Sequence, residues 1–365
     1  MTLGARLRRL LRALGWGSWK HWRLLESWRA NRREACSGRL VCYRRELLEL
    51  KDATVRPHCF QPDGNGDFRL APGFLELPGD KSTVRVERRP LLRCWESLSD
   101  GEGARKYLDH ILTVFMERVA WKNPYHNLQM LYEVWLATHF SGYTPEQTSV
   151  VWLDSHPVSP YRELWLQRFR EVHSISEIEE GRLRHAVVCR GHYTSSLSNC
   201  LGPRPPRWNE FRRFLLGNAA TDTPPTLTFL SREKAQIRRL INREALLSEL
   251  RARLPKVEIR DVRMEELTLS EQIEVARTTR LLVGVHGAGL CYTSFLPPEA
   301  GLVELFPDIY HSFRFTFFNL ARWDRRPYAR VICTRSNGHD DCVVPVARAA
   351  AEIEKAWHRV ATQDE

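Results

Sequence analysis

The sequence predicts an α/β protein with two regions, each a parallel sheet faced by helices. Three observations predict it. Short apolar strands alternate with amphipathic segments from about residue 104 to the end. A proline-rich break, G-P-R-P-P-R through T-D-T-P-P-T between Asn199 and Pro225, separates two such regions. Finally, R-L-L-V-G-V-H-G-A-G-L-C-Y-T-S-F-L-P-P-E-A-G-L-V-E-L-F-P sets a glycine loop between two apolar runs. Leu281 to Pro298 carries no Asp, Glu, Lys or Arg, yet its Gly-Ala-Gly centre and Pro-Pro stop argue against a bilayer span and for two buried strands.

At 365 residues, 43% hydrophobic and 27% charged, the chain has room for two domain cores and the make-up of an ordinary globular protein. The net charge of +11 is concentrated at one end: residues 1–33 hold nine Lys or Arg against one Glu, leaving only +3 elsewhere. A nucleic-acid-binding protein is a rival that rests on this charge alone, while the α/β body offers it no aromatic platform or recognised module, so no nucleic-acid partner is expected. Leu7, Leu10, Leu11 and Leu14 recur at helical spacing among these arginines, so residues 1–33 read as a basic amphipathic leader able to lie on an anionic membrane surface. A disordered leader reads equally well. No secretory signal or N-x-S/T acceptor is visible. None of the nine cysteines has C-x-x-C spacing, which speaks against a cysteine-held metal; Cys189 with Cys200 and Cys333 with Cys342 bracket short loops and suit either local disulfides or buried thiols.

Taken in order, residues 34–103 form an irregular segment with a hairpin, given turn signals such as P-D-G-N-G-D. The first α/β region, 104–218, opens with an expected helix from Tyr107 to Val119. A second helix runs through Leu128–Thr138, then the strand S-V-V-W-L-D-S, an amphipathic segment Tyr161–Phe169, and the strand H-A-V-V-C. In the second region, 219–365, L-T-F-L is a strand and S-R-E-K opens a long helix exposing Arg238, Arg239 and Arg243. K-V-E-I-R-D-V follows, then a helix N-capped by Ser270, the strand R-L-L-V-G-V, the glycine loop, a short helix near Tyr292–Phe295, and G-L-V-E-L-F. Ile353–Val360 closes the chain as a helix.

Ligands of open parallel sheets bind at the carboxyl ends of strands, where loops lead into helix starts, and V-H-G-A-G-L holds that position. Gly287 and Gly289, with Ala288 between them, let backbone N–H groups approach an anion such as a diphosphate. The spacing is neither G-x-G-x-x-G nor a P-loop. His286 is placed to donate to a phosphate oxygen, Arg232 in F-L-S-R to supply a cation, and Glu304, read as the end of its strand, to accept from paired sugar hydroxyls.

With these residues in view, T-F-L-S-R, G-V-H-G-A-G-L and F-L-P-P-E-A-G-L-V-E-L resemble glycosyltransferase family 61, which holds N-acetylglucosaminyltransferases and plant xylosyl and arabinosyl transferases. The likeness covers about Asn123 to Trp357. It implies two Rossmann-like halves of GT-B type with the active site in the cleft between them, and inverting transfer from a UDP-sugar to a glycan or glycoprotein hydroxyl in the endoplasmic reticulum or Golgi. It also implies donor contacts at Arg232, His286, Gly287, Ala288, Gly289 and Glu304. Two departures stand out: Cys291 and Tyr292 follow G-A-G-L where members carry threonine and asparagine or histidine, and the nearest acid after His126 is Glu133.

Inverting transfer needs a base for the acceptor hydroxyl and charge stabilisation for the departing diphosphate. His126 is the first candidate base and Asp154 the second. The loop and Arg232 can stabilise the diphosphate with no cofactor or metal, and His339-Asp340-Asp341 reads as a solvated turn. A non-catalytic binder of glycan or nucleotide sugar is the alternative.

Overall fold

The computed structural model describes residues 40–43, 47–57, 60–62, 68–70, 75–76, 108–118, 120–154, 156–189, 197, 204–217, 225–235, 237–307, 314–335 and 341–361. The basic leader and its expected membrane contact, and also Cys200, His339 and Asp340, lie outside them. The chain divides into two compact units after Ser196.

In the first unit, β1 (Leu40–Tyr43), β2 (Leu47–Val55) and β5 (Leu75–Glu76) join the sheet of β6 (Leu112–Met116), β7 (Thr148–Trp152), β8 (Glu171–Ser174) and β9 (Gly181–Cys189). The order is β1-β2-β9-β6-β7-β8, with β5 on β2. Strands β6 to β9 run parallel, and β2 pairs antiparallel with β9. An antiparallel pair, β3 (Phe60–Pro62) with β4 (Phe68–Leu70), lies where the hairpin is expected. The helix expected over Tyr107–Val119 is instead the strand β6, buried at all five positions. L-T-V-F-M is a short continuous apolar run, for which period cannot separate strand from helix; β-branched and aromatic residues side with the strand between two neighbours.

Helix α1 (Pro124–Phe140) is capped by Asn123, whose side chain accepts the Tyr125 N–H, and has Pro124 in its first turn. It is buried along nearly its whole length, the polar Asn127 included, whose amide donates to the carbonyls of Trp121 and Asn123 at 2.9 and 3.0 Å. Such burial on all sides marks a layer-forming helix rather than a surface one. Helix α2 (Arg162–Leu166) adds Trp165, edge-on to Trp152.

The second unit holds a sheet ordered β11-β10-β12-β13-β14-β15. Its strands are β10 (Thr226–Leu230), β11 (Glu258–Val262), β12 (Thr279–Val285), β13 (Gly301–Pro307), β14 (Tyr328–Arg335) and β15 (Cys342–Val343). The first five are parallel, and only β15 is antiparallel. Counted along the chain this is the doubly wound order 2-1-3-4-5, whose direction of winding reverses between β10 and β12. Both strands are buried throughout, as their apolar runs require. Helices α3 (Trp208–Leu216), α4 (Arg243–Arg253), α5 (Leu269–Arg277), α6 (Thr316–Trp323) and α7 (Val346–Ala361) complete the unit. Leu246, Leu250, Ile353 and Trp357 from α4 and α7 share one core with Leu281, Val283 and Val303.

Four expectations are corrected. The unit boundary falls after residue 196 rather than at 218/219. The cause is α3, whose buried Trp208 donates to Asp324 at 2.6 Å and lies edge-on to Trp323. The helix after β10 starts at Arg243, not at S-R-E-K, because Arg238 adopts a left-handed φ of 59° and Leu240 forms an extended bridge to Cys342. Helix α5 is capped by Thr268 with Glu271 in a capping box, not by Ser270. Asp341 is no solvated turn residue: it is fully buried and accepts from Arg239 through the backbone N at 2.8 Å and Nη2 at 2.7 Å. Cys189, Cys333 and Cys342 are free buried thiols, and a hydrogen bond to Cys342, reinforced by burial, holds the Cys333 thiol well above its ordinary range.

Candidate active site

The reversal point between β10 and β12 gathers the residues of interest. Ser231 and Arg232 follow β10, and His286, Gly287, Ala288 and Gly289 follow β12, so both loops leave the carboxyl ends of adjacent strands. A short 3₁₀ helix, Ala288–Phe295, starts there. The Leu290 N–H is the first in this turn to find an acceptor, the Gly287 carbonyl at 2.9 Å, so the amides of residues 287 to 289 are the orphan donors of a helix start. Gly287 is buried, while Ala288 and Gly289 are half-exposed.

A Cβ added at Gly287 would run into the Arg232 guanidinium, so in this arrangement the guanidinium rests on the glycine itself. At Gly289 an added Cβ would meet only ordinary contact, with Leu230 at 3.6 Å. Arg232 forms no ion pair among the described residues: its Nη2 reaches the Ile237 carbonyl at 3.5 Å, and its Nε is buried without an acceptor. Burial first, and the nearby Arg238 second, pull its pKa down to about 10. An incompletely solvated cation beside three orphan amides is an anion site in charge and in donor count.

Behind the loop stands a buried relay. His286 is 2% exposed and Glu304 fully buried, and the imidazole Nδ1–H donates to Glu304 Oε1 at 2.5 Å. Phe306 and Phe317 meet the ring edge-on at 5.0 and 5.2 Å. The other Glu304 oxygen accepts from the Tyr328 hydroxyl and from Arg330 Nη2 at 2.9 Å, and Arg330 stacks over Phe306 at 4.3 Å. Burial by itself raises the Glu304 carboxyl; the hydrogen bond and charge of His286, with Arg330, outweigh it and hold the group below its ordinary value. Burial and Glu304 push the Tyr328 phenol up, so it stays a donor.

This corrects the reading of Glu304 as a strand-end acceptor for sugar hydroxyls. β13 continues past it to Pro307, and both carboxylate oxygens are engaged inside the sheet. Its work is to fix the His286 ring. His286 in turn accepts Arg238 Nη1 on its carbonyl at 3.1 Å and donates its N–H to Leu305 O at 2.9 Å. Both residues therefore position the loop, while Arg232 and residues 287–289 line its outer side. Sequence reasoning missed Arg238, Tyr328 and Arg330; the alternation of Tyr328 and Arg330 on β14 was the available signal, since it puts both on one face with Glu304.

In the first unit, His126 lies in the first turn of α1, 9% exposed, with Nδ1 and Gln129 Oε1 at 2.7 Å. Burial lowers its pKa, and the Gln129 bond offsets this only in part. Asp154, just past β7, is 3% exposed and held by the buried Arg118, through Nε at 2.8 Å and Nη2 at 2.5 Å. Arg118 also donates to the carbonyls of His156 and Pro157 and lies 4.2 Å over Trp152. Asp154 thus has the surroundings of an anchor, and His126 those of a neutral imidazole with a fixed tautomer.

A sequence profile of the family described as Glycosyltransferase 61 matches residues 108–303, more than half of the chain. The chain belongs to glycosyltransferase family 61. The EGF domain-specific O-linked N-acetylglucosamine transferase of Drosophila melanogaster is 24% identical to this family member over 255 residues, 62% of the chain and 47% of that protein. The protein of the same name from Canis lupus familiaris is 32% identical over 81 residues, 22% of the chain and 15% of its own length. The chain thus spans about half, or less, of the length of these curated relatives. Among solved structures, the E. coli heptosyltransferase WaaC with ADP superposes with a TM-score of 0.35 at 12% identity, covering 68% of this chain and 99% of that one. No helix of the described residues is long and apolar enough to cross a membrane.

Proposed function

We propose that this family 61 member is an inverting glycosyltransferase that takes a sugar from a UDP-sugar and places it on a hydroxyl of a glycan or glycoprotein. N-acetylglucosamine is the first candidate sugar, after the relatives' name, and a pentose the second. The supporting observation is the pairing of Arg232, which has no ion pair among the described residues, with the orphan amides of residues 287 to 289 at the winding reversal of a doubly wound sheet. In the proposed step, the acceptor oxygen attacks C1 of the sugar from the face opposite the diphosphate. The bond from C1 to the diphosphate oxygen breaks, and UDP departs with the electron pair. Arg232 and the amides take up the growing charge, while Glu304 and His286 hold the loop in place. No metal or other cofactor is assigned to this step. The acceptor proton goes to His126: with Nδ1–H given to Gln129, Nε2 is its basic atom, and the lowered pKa keeps it unprotonated at neutral pH. Asp154, tied to Arg118, supports the strand ends. Glycoprotein acceptors of this kind place the reaction in the endoplasmic reticulum or Golgi.

One observation favours a second reading. In the sequence the nearest acid after His126 is Glu133, seven positions on, and Asp154 is already paired with Arg118, which suits a protein that binds a nucleotide sugar without turnover. The full chain should be incubated with UDP-N-acetylglucosamine or UDP-xylose and a panel of glycan and folded glycoprotein-domain acceptors, following both free UDP and acceptor mass. Acceptor-dependent sugar addition supports transfer. UDP binding with no product from any acceptor supports the second reading, and absence of UDP binding sinks both.

A further inference from the structure

Three side chains of the first unit that have no part in the proposed transfer converge on one carboxylate oxygen. His110 stands two residues before β6, and Glu171 and His173 lie on β8, on one face of the strand because they are two apart. Between β6 and β8 runs β7, whose residue at that register is Ser149, paired with both Thr113 and Glu171. So small a residue leaves room for a bridge over the middle strand. His110 Nε2 and His173 Nε2 lie 3.4 and 3.3 Å from the same oxygen, Glu171 Oε2, and one ligand atom from each of the three residues falls within 4.8 Å of the others.

From this geometry we infer a zinc-type divalent metal site made of His110, Glu171 and His173, with water in the fourth position. A tetrahedral zinc ion with ligand bonds of about 2.0–2.2 Å sets neighbouring ligand atoms about 3.3–3.5 Å apart. The two nitrogen-to-oxygen separations match that edge before any ion arrives. The surroundings prepare the ligands. Thr113 Oγ1 lies 3.2 Å from His110 Nδ1; by taking that N–H it leaves the Nε2 lone pair for a metal, the usual outer-sphere arrangement of a zinc-bound histidine. Arg170 Nε sits 3.5 Å from Glu171 Oε1, the oxygen turned away from the histidines, while its Nη2 binds the exposed Asp109 at 2.9 Å. Ser149 Oγ donates to Oε2 at 3.2 Å. The side chains are 11%, 36% and 29% exposed in chain order, so an ion can enter from solvent.

His110 precedes β6 and Glu171 opens β8, while His173 lies two residues further along that strand, so the three ligands belong to two strands that flank β7. The ion's role is that of a clip, tying the start of β6 to the edge strand β8 across β7.

The full chain, stripped with EDTA and dialysed, should be titrated with ZnCl2 by calorimetry and scanned for thermal unfolding with and without the ion. Wild type is expected to bind one equivalent more than His110→Ala/His173→Ala, and to melt higher with zinc by a margin the double variant lacks. Glu171→Gln is expected to weaken that site tenfold or more, and Thr113→Val by less. If the double variant unfolds, Co2+ added to the wild type serves instead: visible absorption of a low-symmetry nitrogen and oxygen site, quenched by one equivalent of Zn2+ and unchanged in Glu171→Gln only if that residue is no ligand. Equal zinc stoichiometry in wild type and double variant, or a cobalt spectrum unchanged in Glu171→Gln, overturns the site.

Discussion

Arg118 and Arg232 hold the same place in the two units, each just past the first parallel strand of its sheet, and they are treated in opposite ways. Arg118 is buried and neutralised by a fork of bonds to Asp154, with two carbonyls and a tryptophan face taking up the rest. Arg232 is packed onto a glycine, has an orphan Nε and forms no ion pair among the described residues. A strand-end arginine closed by a carboxylate is part of the scaffold. One left without an ion pair is what the proposed function requires of a residue whose ligand would bring the missing charge.

The largest effect tests the closed arginine. Asp154→Ala strands a buried guanidinium and is expected to cost about 3–5 kcal/mol in urea unfolding, whereas Arg118→Met with Asp154→Leu recovers most of that loss. If Asp154→Ala unfolds like the wild type, the scaffold role is wrong. Next comes the relay behind the open arginine: Glu304→Gln exchanges a charged acceptor for a neutral one and is expected to cost about 1.5–3 kcal/mol, with weaker UDP binding through a misplaced loop. Arg232→Met is expected to lower UDP affinity about 10- to 100-fold, or roughly 1.4–2.8 kcal/mol, while stability is unchanged or slightly raised, since an uncompensated cation has gone. A fall in stability matching that of Asp154→Ala would make the two arginines alike.

The smallest effect is one of pH. The His126 pKa in the folded chain lies below the ordinary 6.5, so between those values the unfolded chain holds the proton and the folded one does not. The stability contributed by the neutral ring is thus complete above about pH 6.5 and lost as pH falls through the lower folded value. Transfer, followed as kcat/KM, should keep its acid limb below pH 6.5, and the residual transfer of His126→Gln should lack that limb. A limb at or above 6.5 assigns the base elsewhere.

The strands of the second sheet were legible because β10, β12 and β13 are continuous apolar runs closed by Gly, Pro or a polar turn, and the site loop was legible from its glycines. β6 was not, since five apolar residues fit either period. Nor was the difference between the arginines. Arg232 is followed directly by Glu233, but that carboxylate turns to Arg243 and to Arg263, at 2.6 Å from the latter. Only the folded register shows that the adjacent acid is spent elsewhere. Glu304 was misplaced for a related reason: its partners come from the loop after β12 and from β14, 18 to 26 residues away along the chain.

The segment bearing Arg232 and Arg238 is moored at its far end: Arg239 to Asp341, Leu240 to Cys342, and Asn242 to the backbone of Val344, which its amide meets at 2.7 and 3.1 Å. Most of its freedom has therefore been surrendered during folding rather than at capture of a guest. If a diphosphate binds as proposed, its heat of association should show little of the entropy loss that accompanies a loop freezing on contact.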